Sequence, residues 1–252
     1  MKEQLHTIPI NDAMEHAGEC PFCYMERITE EHAMDFVLGH GASYMEADIR
    51  EMTDQEGFCR LHFKKMYDYG NSLGNAWILK TLTSRHITEM QKVVKDFTPS
   101  SNKKRLFGST SSTGNAIVDW ISKREESCFI CTMVQNTFQA YMKTFFDLYR
   151  KEAEFRQKVA SSQGFCISHF KLLCQKADES LSDKDLSEFY QQILPLMEQN
   201  MNRIYEDISW FVEKYDYKNK DADWKNSKDA IQRGMQKLRG SDPSCAPYKI
   251  KK

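Results

Sequence analysis

Cysteine and histidine residues recur in one pattern that the chain carries twice. Each copy reads C-x2-C, a long gap, then G-F-C-x2-H-F. The ligand-type residues are Cys20, Cys23, Cys59 and His62 in the first copy, and Cys128, Cys131, Cys166 and His169 in the second. Three thiols and one imidazole make a full tetrahedral ligand set for zinc, so we expect each copy to close one Cys3His site. The sequence therefore predicts two zinc ions per chain.

The spacing within each pair suits a shared metal ion. Two cysteines separated by two residues can turn their sulfurs to one point, and C-x2-H on a helix places positions i and i+3 on one face. Each pair lies near a predicted helix start, where the helix dipole stabilises the thiolate that binds metal. The long gap would accommodate a helical excursion that returns the second pair to the first. Gly57 and Gly164 precede the second pairs, where the backbone must turn tightly.

Two other interpretations use the same cysteines. They could be small core residues of a duplicated helical domain, but this does not explain why His62 and His169 recur at the same offset. Three cysteines and one histidine could also hold an iron–sulfur cluster, although thiolates with imidazole in a tetrahedral set suit zinc. Cys174 and Cys245 have no counterpart in the first copy, and we expect them to be buried or incidental thiols.

The spacing of apolar residues predicts an almost wholly α-helical fold. Apolar stripes at helical intervals recur, for example Leu79, Leu82 and Met90 in the stretch 75–97, and no segment shows a period-two strand pattern with turn signals. The two copies lie about 108 residues apart and share sequence beyond the ligands. We therefore expect two pseudo-repeated helical units, each closed by a Cys3His metal site, and a C-terminal helix.

A stretch rich in Ser, Thr, Gly and Asn separates the two repeats and predicts a flexible linker. Residues 1–19 are interpreted as a loose lead-in, 133–159 as one long helix, and the tail after Gly240 as frayed. The expected domains are a first helical Cys3His unit at 1–97, the linker at 98–115, a second helical Cys3His unit at 116–217, and a C-terminal helix and tail at 218–252.

Composition argues against several classes of protein. The formal net charge over 252 residues is -1, so a basic surface for nucleic acid is not expected. No apolar run approaches the roughly 18 residues of a membrane helix, and residues 1–19 lack the apolar core of a signal peptide. We therefore expect a cytoplasmic protein with reduced thiols that serve as ligands. Its partner is unknown, and a protein partner fits this composition.

The twin motifs resemble those of an uncharacterised family of bacterial and archaeal proteins, known as a domain of unknown function. The similarity covers most of the chain and includes the ending FVEKYDYKNKDADWKNSKDAIQRGMQKLRG, where an aromatic-Lys-x-Asp-Tyr segment precedes a Trp-bearing helix. The resemblance places the ligands on the same eight cysteine and histidine residues and implies no established activity. Pro21 stands where the second copy has Phe129, so the two sites need not match in geometry.

The ligand sets favour a non-enzymatic role. Four protein ligands leave no open position for water on a zinc ion, whereas catalytic zinc usually has three. No G-x-S-x-G, H-E-x-x-H or P-loop motif occurs, so we assign no catalytic residue. We expect an interaction or regulatory module with two structural zinc sites. The alternative is a thiol redox sensor, or an iron–sulfur electron-transfer protein, that uses the same cysteines.

Overall fold

The computed structural model describes residues 7–16, 18–99 and 115–250. Within these ranges the chain forms α-helices and short 3-10 turns and no β-strand, which confirms the predicted all-α fold. The chain folds as two compact units. The first comprises Met1–Thr29 and Asn136–Ala246, and the second comprises Glu30–Gln135 and Pro247–Lys252. Each unit therefore draws on both repeats, and the units do not coincide with the repeats.

Eleven α-helices lie in the described residues. In chain order they are α1 (Thr7–Glu15), α2 (Pro21–Leu38), α3 (Ala47–Glu56), α4 (Arg60–Tyr69), α5 (Ser72–Lys95), α6 (Ala116–Glu126), α7 (Phe129–Lys151), α8 (Ala153–Ser161), α9 (Ile167–Ser180), α10 (Asp183–Glu213) and α11 (Ala230–Arg239). The expected lead-in contains α1, whose Ile10 is buried in the core of the first unit. The expected helix at 133–159 is two helices, because Glu152 has an extended backbone.

The expected linker, 98–115, lies outside the described residues except at its two ends, and its flexibility stays a prediction. At the second end Asn115 begins α6: its side-chain oxygen accepts a hydrogen bond from the N–H of Ile117 at 3.0 Å. Asparagine is a favoured residue at this capping position. None of the helices in the described ranges has the length and apolar character required to span a membrane.

Each unit has an apolar core of its own. In the first unit Phe22, Phe145 and Phe165 are fully buried, and the ring of Phe22 contacts the other two. In the second unit Met34 and Ile78 are fully buried in a separate cluster. Burial of one such side chain contributes about 1.5–3 kcal/mol. The units are therefore stabilised by packing as well as by any metal they bind.

Two long helices begin in one unit and end in the other. Helix α2 begins in the first unit directly after Cys20, and helix α7 begins in the second unit directly after Cys128. With 18 and 23 residues, they extend about 27 and about 35 Å at about 1.5 Å per residue. Helices of this length carry the chain away from the ligand pair at their start. The pair that follows α2 in the sequence, Cys59 and His62, accordingly lies in the second unit.

The C-terminal tail packs within the second unit. Tyr248 is buried, and its hydroxyl donates to Oε2 of Glu30 at 2.6 Å. The backbone N–H of Ile250 donates to the carbonyl oxygen of Tyr69 at 3.1 Å. The expectation that the tail after Gly240 is frayed is wrong, because an aromatic side chain anchors it to a partly buried carboxylate.

Candidate metal centres

The eight predicted ligands form two clusters, and each cluster combines ligand pairs from different repeats. The first cluster contains Cys20, Cys23, Cys166 and His169, and the second contains Cys59, His62, Cys128 and Cys131. The four ligand atoms of each cluster lie within 4.8 Å of one another. The expectation that each repeat closes its own set is wrong, because α2 and α7 each run on into the other unit. Cys174 and Cys245 lie outside both clusters.

Every ligand pair lies at the N-terminus of a helix. Cys20 precedes α2 and Cys128 precedes α7, and the second cysteine of each pair lies in the first turn. Cys59 and Cys166 occupy the N-cap positions of α4 and α9, and the histidines follow in the first turn. The partial positive charge of two helix N-termini therefore lies at each cluster, which favours the thiolate form of the cysteines.

Glycine allows the tight turn before each Cys-x2-His pair. Gly57 and Gly164 have φ angles of 65° and 73°, in a region that L side chains rarely adopt. For Gly57 the ψ angle of -159° completes a conformation that is essentially restricted to glycine. The predicted turns are confirmed, and they bring the chain into α4 and α9 with the first ligand at the helix start.

The distances in the first cluster fit a tetrahedral metal ion. Nδ1 of His169 lies 3.5, 3.4 and 3.3 Å from the sulfurs of Cys20, Cys23 and Cys166. The sulfurs of Cys23 and Cys166 are 3.6 Å apart, well beyond the about 2.05 Å of a disulfide bond. A tetrahedral zinc ion, bonded at about 2.3 Å to sulfur and about 2.0 Å to nitrogen, separates sulfurs by about 3.8 Å and sulfur from nitrogen by about 3.5 Å.

The second cluster has the same geometry but is more open to solvent. Nδ1 of His62 lies 3.3, 3.2 and 3.3 Å from the sulfurs of Cys59, Cys128 and Cys131. The sulfurs of Cys59 and Cys131 are 3.9 Å apart. All four residues of the first cluster are buried, whereas here Cys131 is exposed and Cys59 is half-buried. The second cluster is therefore the one that small reagents can reach.

A carboxylate lies behind each imidazole, but only one is in hydrogen-bond contact. Nε2 of His62 donates to Oε1 of Glu30 at 2.7 Å. Nε2 of His169 is 3.6 Å from Oε2 of Glu26, whose side chain is 52% exposed. A proton held on Nε2 leaves Nδ1 free to bind a metal, as in the histidine–carboxylate pairs of zinc proteins. Sequence reasoning missed both carboxylates, since no motif spacing relates them to the histidines.

Three donors keep Glu30 ionised. Burial opposes the ionisation of its carboxyl group, but hydrogen bonds from His62, Lys65 and Tyr248 outweigh burial and lower the pKa of Glu30 to about 2. The ammonium of Lys65 donates to both carboxylate oxygens, at 2.5 and 2.6 Å. Glu30 is thus a fixed negative charge behind the imidazole of His62 at neutral pH.

Contacts among the clustered residues shift the pKa values of neighbouring thiols in opposite directions. Burial and the neighbouring Cys128 raise the pKa of Cys131 to about 12. Burial also opposes ionisation of Cys128, but hydrogen bonds, first that with His62, lower its pKa to about 6. In the first cluster hydrogen bonds among the thiols raise the pKa of Cys23 and lower that of Cys166. Three neighbouring thiolates repel one another, and a divalent ion would relieve this repulsion.

Helix α11 brings two further residues to the first cluster. A Cβ atom at Gly240 would lie in contact with the sulfurs of both Cys23 and Cys166, at 3.4 Å, and the φ angle of 77° at this position favours glycine. Lys237 is fully buried and donates hydrogen bonds to backbone carbonyls next to the ligand pairs. Nothing in the sequence signals these contacts, because both residues lie far along the chain from the cysteines they approach.

A family profile matches residues 1–244 of the chain, and the family is described as a family of unknown function, DUF6062. Comparisons with curated proteins and with solved structures gave no match. The matched range includes both cysteine motifs. The function therefore has to be argued from the two clusters.

Proposed function

The chain belongs to DUF6062, a family of unknown function, and we propose that it is a zinc-binding helical module with two structural Cys3His sites. The observation that carries the proposal is the convergence of four Cys and His ligand atoms within 4.8 Å, twice in one chain. Thiolate and imidazole donors in a tetrahedral set suit zinc better than the harder divalent ions. Such an ion would tie two helix N-termini together in each unit.

The closed ligand sets favour a structural role for the metal. Each cluster offers four protein ligands, so a bound zinc ion would keep no position for water or substrate. We accordingly assign the protein an interaction or regulatory role with a protein partner rather than catalysis. No disulfide joins any of the eight cysteines, which fits the reducing, cytoplasmic location that we propose.

One observation favours a second candidate function, a thiol sensor at the second cluster. Cys131 is exposed and its sulfur lies 3.9 Å from that of Cys59. A hydroperoxide could accept two electrons from one thiolate and one thiol of this pair: the O–O bond breaks, one S–S bond forms, the thiol proton passes to an oxygen, and the oxygens leave as alcohol and hydroxide. The buried first cluster offers no such access.

Metal analysis and thiol mapping test the structural proposal. The purified protein should be colourless and hold about two zinc ions per chain. In the Cys166→Ser variant, Cys20 and Cys23 should become reactive to a maleimide, while the reactivity of Cys128 and Cys131 stays as in the wild type. Cys59→Ser should give the converse pattern, because serine is a poor replacement for a thiolate ligand. Mass spectrometry of the labelled peptides reads both patterns.

Several results would contradict the structural proposal. A brown protein would indicate an iron–sulfur cluster, and a sample without bound metal would refute both sites. If Cys166→Ser instead made Cys128 and Cys131 more reactive, the two ligand pairs of one repeat would share a metal ion, and the crossed pairing would be wrong. Rapid, reversible loss of two thiols to peroxide, with helical circular dichroism intact, would favour the sensor.

A further inference from the structure

In the second unit direct hydrogen bonds join the segments that carry the ligand pairs. The hydroxyl of Thr132 in α7 donates to Oε2 of Glu56 at 2.6 Å, and two further bonds involve residues that flank the cysteines. The hydroxyl of Ser127 donates to the carbonyl of Glu56 at 2.6 Å. The backbone N–H of Phe129 donates to the carbonyl of Gly57 at 2.9 Å. These bonds tie the start of α7 to the turn that precedes α4, and so hold the two ligand pairs side by side.

Among the described residues of the first unit, neither the Ser127 bond nor the Phe129 bond has a counterpart. When the repeats are aligned on their cysteines, Glu19 stands in the place of Ser127 and Pro21 in the place of Phe129. An ionised carboxylate has no hydrogen to donate, and proline has no backbone N–H. The first cluster therefore needs another connection between its two ligand-bearing segments.

Lys237 makes that connection from α11. Its side chain is fully buried, and its ammonium donates to the carbonyl of Glu19 at 2.8 Å and to that of Gln163 at 2.6 Å. Gln163 is the counterpart of Glu56 in the aligned repeats. The third contact of the ammonium is Oε2 of Glu19 at 3.1 Å. The three N–H groups of a lysine thus match three acceptors at the two segments.

Charge favours a cation at this position. The carboxylate of Glu19 is shared by Lys237 at 3.1 Å, Arg203 at 2.5 Å and Arg233 at 3.5 Å, so it compensates the ammonium in part. A buried ammonium is costly unless negative charge compensates it. Three thiolates and an imidazole on a divalent ion carry a net negative charge and would supply that compensation.

We propose that Lys237 is a positioning residue for the first metal site, whose ammonium joins the two ligand-bearing segments in place of the direct hydrogen bonds found in the second unit. The inference rests on the proposed function, since it requires that the first cluster bind metal. Direct bonds already connect the segments of the second unit, so loss of Lys237 should weaken the first site alone.

A pair of lysine variants tests this role. Lys237→Met removes the ammonium and retains an unbranched stem as long as that of lysine up to Cε. The matched control is Lys214→Met, because Lys214 is also buried in the first unit. The ammonium of Lys214 donates to three carbonyls away from the clusters, those of Asn219, Lys220 and Ala222. Both variants lose a buried cation with its hydrogen bonds, but only one loses a link at the cysteines.

Cadmium NMR of the reconstituted full-length protein resolves the two sites. The wild type should give two cadmium signals, which Cys166→Ser and Cys59→Ser assign by removing one each. During titration with a chelator, Lys237→Met should lower the affinity of the first site about 10- to 100-fold, as loss of an outer-shell partner typically does. The second signal should respond as in the wild type, and Lys214→Met should leave both affinities unchanged even if it unfolds at lower temperature.

Other outcomes would refute either the proposed function or the role of Lys237. A wild type without two signals refutes the proposed function and the role of Lys237 with it. Two wild-type signals that Lys237→Met leaves unchanged, or that Lys214→Met weakens equally, refute the role of Lys237 alone. If Lys237→Met does not fold, Lys237→Gln replaces it in the same titration. Its amide is a shorter, uncharged donor, so the first site should still bind cadmium more weakly than in the wild type. An affinity equal to that of the wild type would overturn the proposal.

Discussion

Each cluster histidine uses its two ring nitrogens differently. Nδ1 faces the sulfurs, and Nε2 faces a carboxylate, which fixes the orientation of the ring and raises its basicity toward a metal. The two carboxylates are not equivalent. Glu30 accepts from His62 at 2.7 Å and is itself held by Lys65, whereas Glu26 lies 3.6 Å from His169. The two sites should therefore depend on their carboxylates to different degrees.

Neutralising each carboxylate in turn tests this difference. Glu30→Gln should weaken zinc binding at the second site about 10- to 100-fold, because an outer-shell partner that orients a ligating histidine is lost. Glu26→Gln should change the first site less than about fivefold, since an exposed ion pair contributes about 0–1 kcal/mol. Competition with a chromophoric chelator measures both affinities. Equal losses in the two variants would show that hydrogen-bond contact with Nε2 does not matter.

At the scale of the helix, the ligands take positions that capping residues usually hold. Cys59 and Cys166 are the N-cap residues of α4 and α9, where serine, threonine, aspartate or asparagine is preferred. The sulfur of Cys166 accepts from the backbone N–H of His169 at 3.4 Å, which is a weak substitute for an oxygen cap. Metal at the cluster would hold the first turn of each helix in place.

The turn before α4 can be tested by adding one methyl group. Gly57→Ala should cost about 1–3 kcal/mol in the free energy of unfolding, because its φ of 65° and ψ of -159° suit glycine alone. Gly41→Ala is the control in the same unit: Gly41 has no left-handed φ and meets nothing closer than Ser43 Oγ at 4.0 Å. Its effect should stay within about 0.5 kcal/mol. Denaturant unfolding of the metal-loaded protein compares the two, and equal stabilities would contradict the strained turn.

At the scale of the whole molecule, the sequence predicts the ligands but not their pairing. The eight residues and the helical class follow from spacing, since i and i+3 positions at helix starts share a face. Both repeats carry the same residue types, so Cys20 and Cys23 suit the pair at Cys59 equally well as the pair at Cys166. The lengths and courses of α2 and α7 decide between them, and periodicity alone does not locate where a helix docks.

The sequence does not indicate which residues support the clusters, for a related reason. Glu30 meets Tyr248 across 218 positions, and Lys237 meets Glu19 across the same separation. Acidic and basic residues are common in helices, and most are solvated. Only tertiary packing distinguishes the few that face a cluster from the many that face water.

The crossed pairing predicts how the chain behaves when it is cut between the repeats. A specific protease site inserted between residues 100 and 114 would yield two fragments, each of which contributes residues to both units. The fragments should co-elute in size-exclusion chromatography and retain both zinc ions, since every cluster takes one ligand pair from each fragment. A chelator should lower the urea concentration at which they separate. Separated fragments that each carry one ion would contradict the crossed pairing.

Because each cluster combines ligand pairs from both repeats, the nascent chain could bind metal through a non-native set of ligands during synthesis on the ribosome. Once Cys59 and His62 have emerged, the nascent chain presents four suitable ligands that belong to two different clusters. The second cluster is complete only after Cys131 has been added, and the first only after His169. An ion captured early would stabilise a non-native set within the first repeat and compete with the final arrangement. Metal delivered after translation has passed His169 would meet only complete sets, so the timing of zinc supply would influence the yield of correctly folded protein.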